Sequence, residues 1–128
     1  GLESLEGKDI LLVDDSTDVF AAFIPPLTAA TGGGARFLRH ADETAEELAG
    51  LVMGFQPATV LLDEELGNGV LGTMVAKELR GKGSDARIIG FSSAPGAREE
   101  FFRAGADGFV LKSVHDPWGT LREVAEIL

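Results

Sequence analysis

The sequence predicts a doubly wound α/β fold built on a parallel sheet. Three observations carry this. Short apolar runs alternate along the chain with segments of helical period. The runs are near-continuous Ile, Leu, Val and Phe, as strands covered on both faces require. Polar residues of chemical use close the runs: Asp14 and Asp15 after Ile10–Val13, Asp63 after Val60–Leu62, Ser92 after Ile88–Phe91, and Lys112 after Phe109–Leu111.

The first strand is expected near residues 9–13. Val19, Phe20, Phe23, Ile24 and Leu27 then recur at helical spacing, until Pro25-Pro26 interrupts. An interior proline costs a helix about 3 kcal/mol, so a break or kink is expected there, with a loop at Thr31 to Gly34. The second strand, near 35–38, has the weakest pattern. Thr44 and Glu47 make a T-x-x-E capping box for a helix carrying Leu48, Leu51, Val52 and Phe55. A third strand is expected near 58–62. Leu71, Met74, Val75 and Leu79 form the next helix, stopped by Gly81-Lys82-Gly83. A fourth strand near 87–91 precedes a short helix anchored by Phe101 and Phe102. The fifth strand, 108–111, leads to a helix capped by Asp116, with Pro117 in its first turn and Leu121, Val124 and Leu128 as its buried stripe.

Five such β-α units, joined by right-handed crossovers, fit the flavodoxin-like strand order 2-1-3-4-5 with five flanking helices. That order sets strands 1 and 3 side by side and gathers Asp14, Asp15 and Asp63 at the carboxyl edge of the sheet, where open α/β sheets bind ligands. The reading is one domain over 1–128, with its core from about residue 8. No internal repeat, low-complexity tract or interdomain linker interrupts it.

Bulk properties narrow the function. The 128 residues are 45% hydrophobic and 25% charged, with a formal net charge of −10. Direct nucleic-acid binding needs a basic surface, and an anionic membrane would repel this one. The absence of cysteine removes disulfides, thiolate ligands and thiol nucleophiles. No apolar stretch approaches the roughly 20 residues of a membrane span. Gly1 to Lys8 lacks a signal-peptide pattern, so a cytoplasmic setting is expected.

Asp14 and Asp15 can hold a hard cation such as Mg2+ through oxygen, and Asp63 completes the cluster. Asp63 is also the best nucleophile candidate, since carboxylates accept phosphoryl groups as acyl phosphates. Lys112 offers a compact positive charge and Ser92 a hydroxyl donor to a phosphoryl oxygen. The bland alternatives are a helix cap at Asp14-Asp15, a turn at Asp63 or Ser92, a solvated strand-end Lys112, and a purely core Phe109.

In Leu11-Leu12-Val13-Asp14-Asp15, Val60-Leu61-Leu62-Asp63, Gly90-Phe91-Ser92-Ser93 and Ala104 to Lys112, the chain resembles the receiver domain of bacterial two-component response regulators. The resemblance implies Asp63 as phosphoacceptor, and a Mg2+ site of Asp14, Asp15, Asp63 and the backbone carbonyl of Glu65. It implies Ser92 as switch hydroxyl, Lys112 as the site lysine, and Phe109 as the aromatic whose rotamer follows phosphorylation. The implied donor is a histidine kinase or histidine phosphotransfer protein. The implied output is a changed surface on helix 4, strand 5 and helix 5, read by a downstream protein or an attached output domain and open to homodimerisation. Such a domain assists its own phosphoryl transfer and dephosphorylation without being an enzyme of its own.

Departures from the family pattern accompany the match. Ser113 stands where the family usually has proline. The loop after Asp63, Glu64-Glu65-Leu66-Gly67-Asn68-Gly69, is acidic and glycine-rich. The segment from Ser92 to Lys112 is slightly short, which curtails or displaces helix 4. These features support an alternative, an interaction scaffold that works without phosphorylation. A small Mg2+-dependent phosphatase is a third reading; it lacks a second aspartate at Glu65 and room for a capping domain.

Gly67-Asn68-Gly69-Val70-Leu71-Gly72 matches the dinucleotide fingerprint G-x-G-x-x-G. It follows the third strand rather than the first, its neighbouring acids would repel a pyrophosphate, and Ser92 stands where the ribose-binding acid belongs. His40 and His115 have no ligand-spaced companions and read as surface or capping residues. Asp42, Glu43, Glu46 and Glu47 read as a solvated helix face. Trp118 fits either helix packing or an exposed partner surface.

Overall fold

A computed structural model describes residues 1–128. After a 3-10 turn at Leu2–Leu5, the elements are β1 (Ile10–Asp14), α1 (Thr17–Thr31), β2 (Ala35–Arg39), α2 (Ala45–Phe55), β3 (Thr59–Leu62), β4 (Glu65–Gly67), β5 (Val70–Leu71), α3 (Gly72–Gly81), β6 (Arg87–Ser92), α4 (Ala97–Arg103), β7 (Gly108–Leu111) and α5 (Pro117–Ile127). The main sheet is parallel throughout, in the order β2-β1-β3-β6-β7. With β4 and β5 set aside as a separate hairpin, this is the flavodoxin-like order 2-1-3-4-5.

Period-2 alternation sorts the core into two layers. Leu11, Val13, Val60, Leu62 and Ile88 face α2, α3 and α4. Ile10, Leu12, Leu61, Ile89, Phe91 and Val110 face α1 and α5. Leu5 is fully buried in the second layer, so the core begins before residue 8. The edge strand β2 is half-exposed, which explains its weak hydrophobic pattern.

Local signals hold where they rest on side-chain capping. The Thr44–Glu47 capping box is present, and Asp116 accepts from the Gly119 N–H at 3.0 Å. The fourth helix is short, at seven residues.

Other expectations are corrected. Pro25-Pro26 does not break α1, which runs through both to Thr31. Phe23, Pro26 and Leu27 bury against the sheet on either side of the interruption, and this packing offsets the two missing N–H donors. Pro25 and Ala21 are exposed, so the carbonyl freed at Ala21 is within reach of water. Gly32 then ends the helix in the left-handed region at φ 64°.

Leu71 and Met74 do not lie on the buried stripe of α3; both are exposed, and Thr73, Val75, Ala76 and Leu79 face inward. Leu71 belongs instead to β5 and starts the helix. Phe102 does not anchor α4. It lies exposed under the Arg98 guanidinium, 5.2 Å from its ring centre, and Phe101 alone is buried.

The β4–β5 hairpin was not anticipated. Glu65 pairs with Leu71 and Gly67 with Val70, leaving Asn68-Gly69 as a two-residue turn. Both turn residues have positive φ, 53° and 76°, as a type I′ turn demands. An irregularity at Leu66 sends that side chain into the core.

Candidate functional site

Register places the site. Val13 pairs with Leu62, so Asp14 and Asp63 emerge side by side, and the Asp63 N–H donates to the Val13 carbonyl at 3.0 Å. Ser92 pairs with Leu111, and the Lys112 N–H donates to the Ser92 carbonyl at 3.0 Å. Strand alternation puts Asp14, Asp63 and Lys112 on the α1/α5 side of the sheet edge. Ser92 and Phe109 fall on the α4 side.

Lys112 is the hinge of the cluster. Its ammonium donates to Asp14 Oδ2 at 2.7 Å and to Asp63 Oδ1 at 2.8 Å. All three side chains are nearly buried. The Phe91 ring lies 5.8 Å from the same nitrogen and backs it with an aromatic face. Asp14 Oδ1 accepts the N–H groups of Asp15, at 2.8 Å, and Ser16, at 3.0 Å. Asp14 is therefore held in place by one cation and two amides, with acceptor capacity left on Oδ2. The helix-cap role belongs to Ser16, whose hydroxyl accepts from the Val19 N–H, so Asp14 is free of it.

Asp63 carries the strongest electrostatic perturbation. Burial pushes its carboxyl up, and Asp14 adds to the rise, while Lys112 opposes it; the result is about 7, against an ordinary 3.8. A buried carboxylate facing a second one is costly to ionise, and added positive charge relieves that cost.

The donor set fits a hard divalent cation. Asp14, Asp15 and Asp63 each offer an oxygen, and these atoms lie within 4.8 Å of one another. They border a cleft of about 350 Å³ that Glu65, Ser92 and Lys112 also line. All the site residues named from sequence except Phe109 thus share one cleft. Ser92 is buried, and its hydroxyl accepts from the Ala94 N–H at 3.1 Å, holding the turn after β6. Phe109 is buried behind the sheet edge, its ring 6.0 Å from that of Phe101.

Several residues beyond the strand ends support the site. Gly72 starts α3 against the backbone of Asp63: a Cβ there would lie 1.8 Å from the Asp63 carbonyl oxygen. Its N–H donates to the Glu64 carbonyl at 2.7 Å, and the Glu64 carboxylate accepts from the Thr73 N–H at 3.0 Å. The third glycine of the apparent fingerprint is thus a close-approach position, and the first two serve the hairpin. The signal for the hairpin was present in Asn68-Gly69.

His40 is a buried staple rather than a surface or capping residue. Its Nδ1 lies 2.5 Å from the Leu66 carbonyl oxygen and its Nε2 2.7 Å from that of Glu43. Asn68 Nδ2 also donates to the Ala41 carbonyl at 2.9 Å. The hairpin beside Asp15 is thereby tied to the loop between β2 and α2.

Ser113 uses a backbone donor that a proline at this position would lack. Its N–H donates to Thr120 Oγ1 at 3.0 Å, and that hydroxyl donates to the Asp116 carbonyl at 3.0 Å. The turn carrying Lys112 is thus fastened to α5.

A five-stranded parallel sheet with a lysine-bridged acid pocket at its carboxyl edge defines a class: the fold is that of response-regulator receiver domains. No protein-family model matches the chain, and no curated protein does. Solved structures do. The response regulator TrrA from Thermotoga maritima, in complex with Mg2+-BeF, is 28% identical with a TM-score of 0.70, covering 94% of this chain and 99% of that one. A mutant receiver domain of the histidine kinase CKI1 from Arabidopsis thaliana gives a TM-score of 0.72 at 21% identity, covering 98% and 94%. A DNA-binding response regulator of the LuxR family from Staphylococcus aureus gives 0.65 at 22%, covering 91% and 97%. No helix of this chain is long and apolar enough to cross a membrane.

Proposed function

We propose that this chain is a phosphoacceptor switch, with Asp63 receiving a phosphoryl group from a phosphohistidine of a kinase or phosphotransfer protein. The observation that carries the reading is the Lys112 ammonium held between Asp14 and Asp63, within a cleft that Asp15 and Ser92 share. A carboxylate oxygen of Asp63 forms the bond to phosphorus as the donor's phosphorus–nitrogen bond breaks, and the bonding pair leaves with the imidazole nitrogen. Lys112 is placed to follow the charge from the carboxylate to the phosphoryl oxygens. The Ser92 hydroxyl turns from the Ala94 amide to donate to one of those oxygens.

Asp14, Asp15, Asp63 and the Glu65 carbonyl would hold Mg2+. When bound, it relieves the carboxylate repulsion and neutralises charge on the transferred group. Water attacking phosphorus later returns the Asp63 carboxylate, so the domain assists transfer and loss without acting as a turnover enzyme. The output is a changed surface at α4, β7 and α5, read by a protein partner in the cytoplasm.

The test is intact mass after incubation with acetyl phosphate and Mg2+, beside an Asp63→Asn control. One added phosphoryl group, absent from the control and absent without Mg2+, is the expected result. No label from acetyl phosphate or a panel of phosphorylated histidine phosphotransfer proteins, with no Mg2+ binding, would replace this reading with the phosphorylation-independent scaffold.

A further inference from the structure

We propose that His40 is a positioning residue for the cation site: with Asn68 it clamps the β4–β5 hairpin beside Asp15, and this clamp sets how tightly the sheet edge holds a divalent cation. This rests on the metal-binding part of the reading above.

One residue joins both walls of the site. The His40 N–H donates to the Asp14 carbonyl at 2.9 Å and so continues the β1–β2 ladder past the strand ends. Its ring reaches the other wall, where Nδ1 lies 2.5 Å from the Leu66 carbonyl oxygen. Leu66 stands between two residues that face the acids. Glu65 lines the cleft, and a Cβ added at Gly67 would lie 3.3 Å from Asp15 Oδ2. Nε2 lies 2.7 Å from the Glu43 carbonyl oxygen, so the ring is gripped at both ends, and His40 is buried. A flat ring with a polar atom at each end can bridge two carbonyls in this way, and an aliphatic side chain cannot.

The anchor is itself fastened. The Ala41 N–H donates to the Glu43 carboxylate at 2.9 Å, and Asn68 Nδ2 donates to the Ala41 carbonyl at 2.9 Å. The base of the hairpin is fixed separately, by the Gly72 N–H on the Glu64 carbonyl. The His40 and Asn68 ties therefore act on the arm that lies against Asp15. A small hard cation demands ligands at fixed distances, so a wall that wanders costs affinity in proportion to its time out of place. An arm in place for roughly a tenth to a fifth of the time weakens apparent affinity roughly five- to tenfold.

The experiment measures the Kd for Mn2+, a paramagnetic stand-in for Mg2+, by electron paramagnetic resonance. It uses the full chain at a temperature where circular dichroism shows each variant folded, with Asp15→Asn giving the background from other acids. His40→Leu nearly keeps the volume and removes both ring nitrogens; it should bind Mn2+ roughly five- to tenfold more weakly. His40→Gln restores a donor and should recover part of the affinity. Thr31→Val is the control for lost stability alone. It leaves the Ala35 N–H without its partner at the opposite edge of the sheet, and should keep the wild-type Kd. A folded His40→Leu with the wild-type Kd overturns the proposal, and so does an equal fall in Thr31→Val. Asn68→Gly cuts the outer tie at a positive φ that glycine accepts, and should weaken binding roughly two- to threefold. If His40→Leu does not fold, a wild-type Kd in Asn68→Gly overturns the clamp. No Mn2+ binding by wild type sinks it together with the cation site. Weakened Mn2+ binding in the His40 variants, with no labelling of Asp63 in any protein, would instead defeat the phosphoacceptor reading and leave the clamp standing.

Discussion

The Lys112 ammonium donates to Asp63 across 2.8 Å, from a strand two places away in the sheet, and reaches Asp14 at 2.7 Å with the same nitrogen. One cation thus compensates two buried carboxylates. Lys112→Ala should cost about 3–5 kcal/mol at pH 8, as removal of one partner from a buried pair does. The loss should shrink at pH 5, where Asp63 can stay protonated beside Asp14. Urea melts at the two pH values check this, and an equal loss at both would count against a charge origin.

Asp63 makes stability depend on pH. Its folded value of about 7 lies above the ordinary 3.8, so the folded state binds the proton more tightly than the unfolded chain. The resulting destabilisation is absent below the ordinary value, grows as pH rises between the two, and is complete above about 7. Asp63→Asn removes it. The variant should melt above wild type at pH 8 without Mg2+, by about 3–5 °C per kcal/mol relieved, and the difference should close toward pH 4. A difference that does not vary with pH would remove Asp63 as its source.

Mg2+ should reverse that penalty. At ten times its Kd, a ligand bound only by the folded state stabilises by about 1.4 kcal/mol. Thermal melts across a Mg2+ titration should show this rise for wild type, with little or none for Asp15→Asn or Asp63→Asn. Equal rises in all three proteins would place the cation elsewhere.

The Thr120 hydroxyl fastens the turn that carries Lys112 by accepting from the Ser113 N–H. Thr120→Val leaves that donor unpaired, at about 1–3 kcal/mol, and should slow Asp63 labelling by loosening Lys112. Thr120→Ser restores the hydroxyl and should restore the rate. Slow labelling in both variants would mean that the hydroxyl does not by itself set the rate.

Gly72→Ala would bring a methyl group onto the Asp63 carbonyl oxygen. Overpacking against backbone should cost about 1–3 kcal/mol or more and shift Asp63. Chemical denaturation gives the first quantity and acetyl phosphate labelling the second. Gly81→Ala, where nothing lies near the added methyl, is the control expected to leave labelling unchanged and stability equal or raised by up to about 1 kcal/mol.

Much of this site could be read along the chain because each acid or base ends a strand of strong apolar pattern. Asp14, Asp15, Asp63, Ser92 and Lys112 needed only the strand order to converge. What stayed hidden had weaker local signals or ambiguous ones. Asn68-Gly69 announces a type I′ hairpin, yet the surrounding glycines also spelled a nucleotide fingerprint. Pro25-Pro26 announced a break that tertiary burial of Phe23, Pro26 and Leu27 overrode. His40 carried no spacing signal, since its partners are backbone carbonyls and any residue supplies those.

The sequence by itself determined the alternation of strands and helices, the two-faced burial of the sheet and the chemical identity of its carboxyl edge. These follow from periodicity and capping, which act between residues a few positions apart. Only the tertiary structure decided that Lys112 spans 98 positions to Asp14, that Gly72 and Gly90 are bare because Asp63 and two phenylalanine rings press on them, and that the Ser113 amide is held by Thr120. Those facts depend on which strands lie side by side and how closely their side chains pack. No local pattern encodes a distance across a sheet.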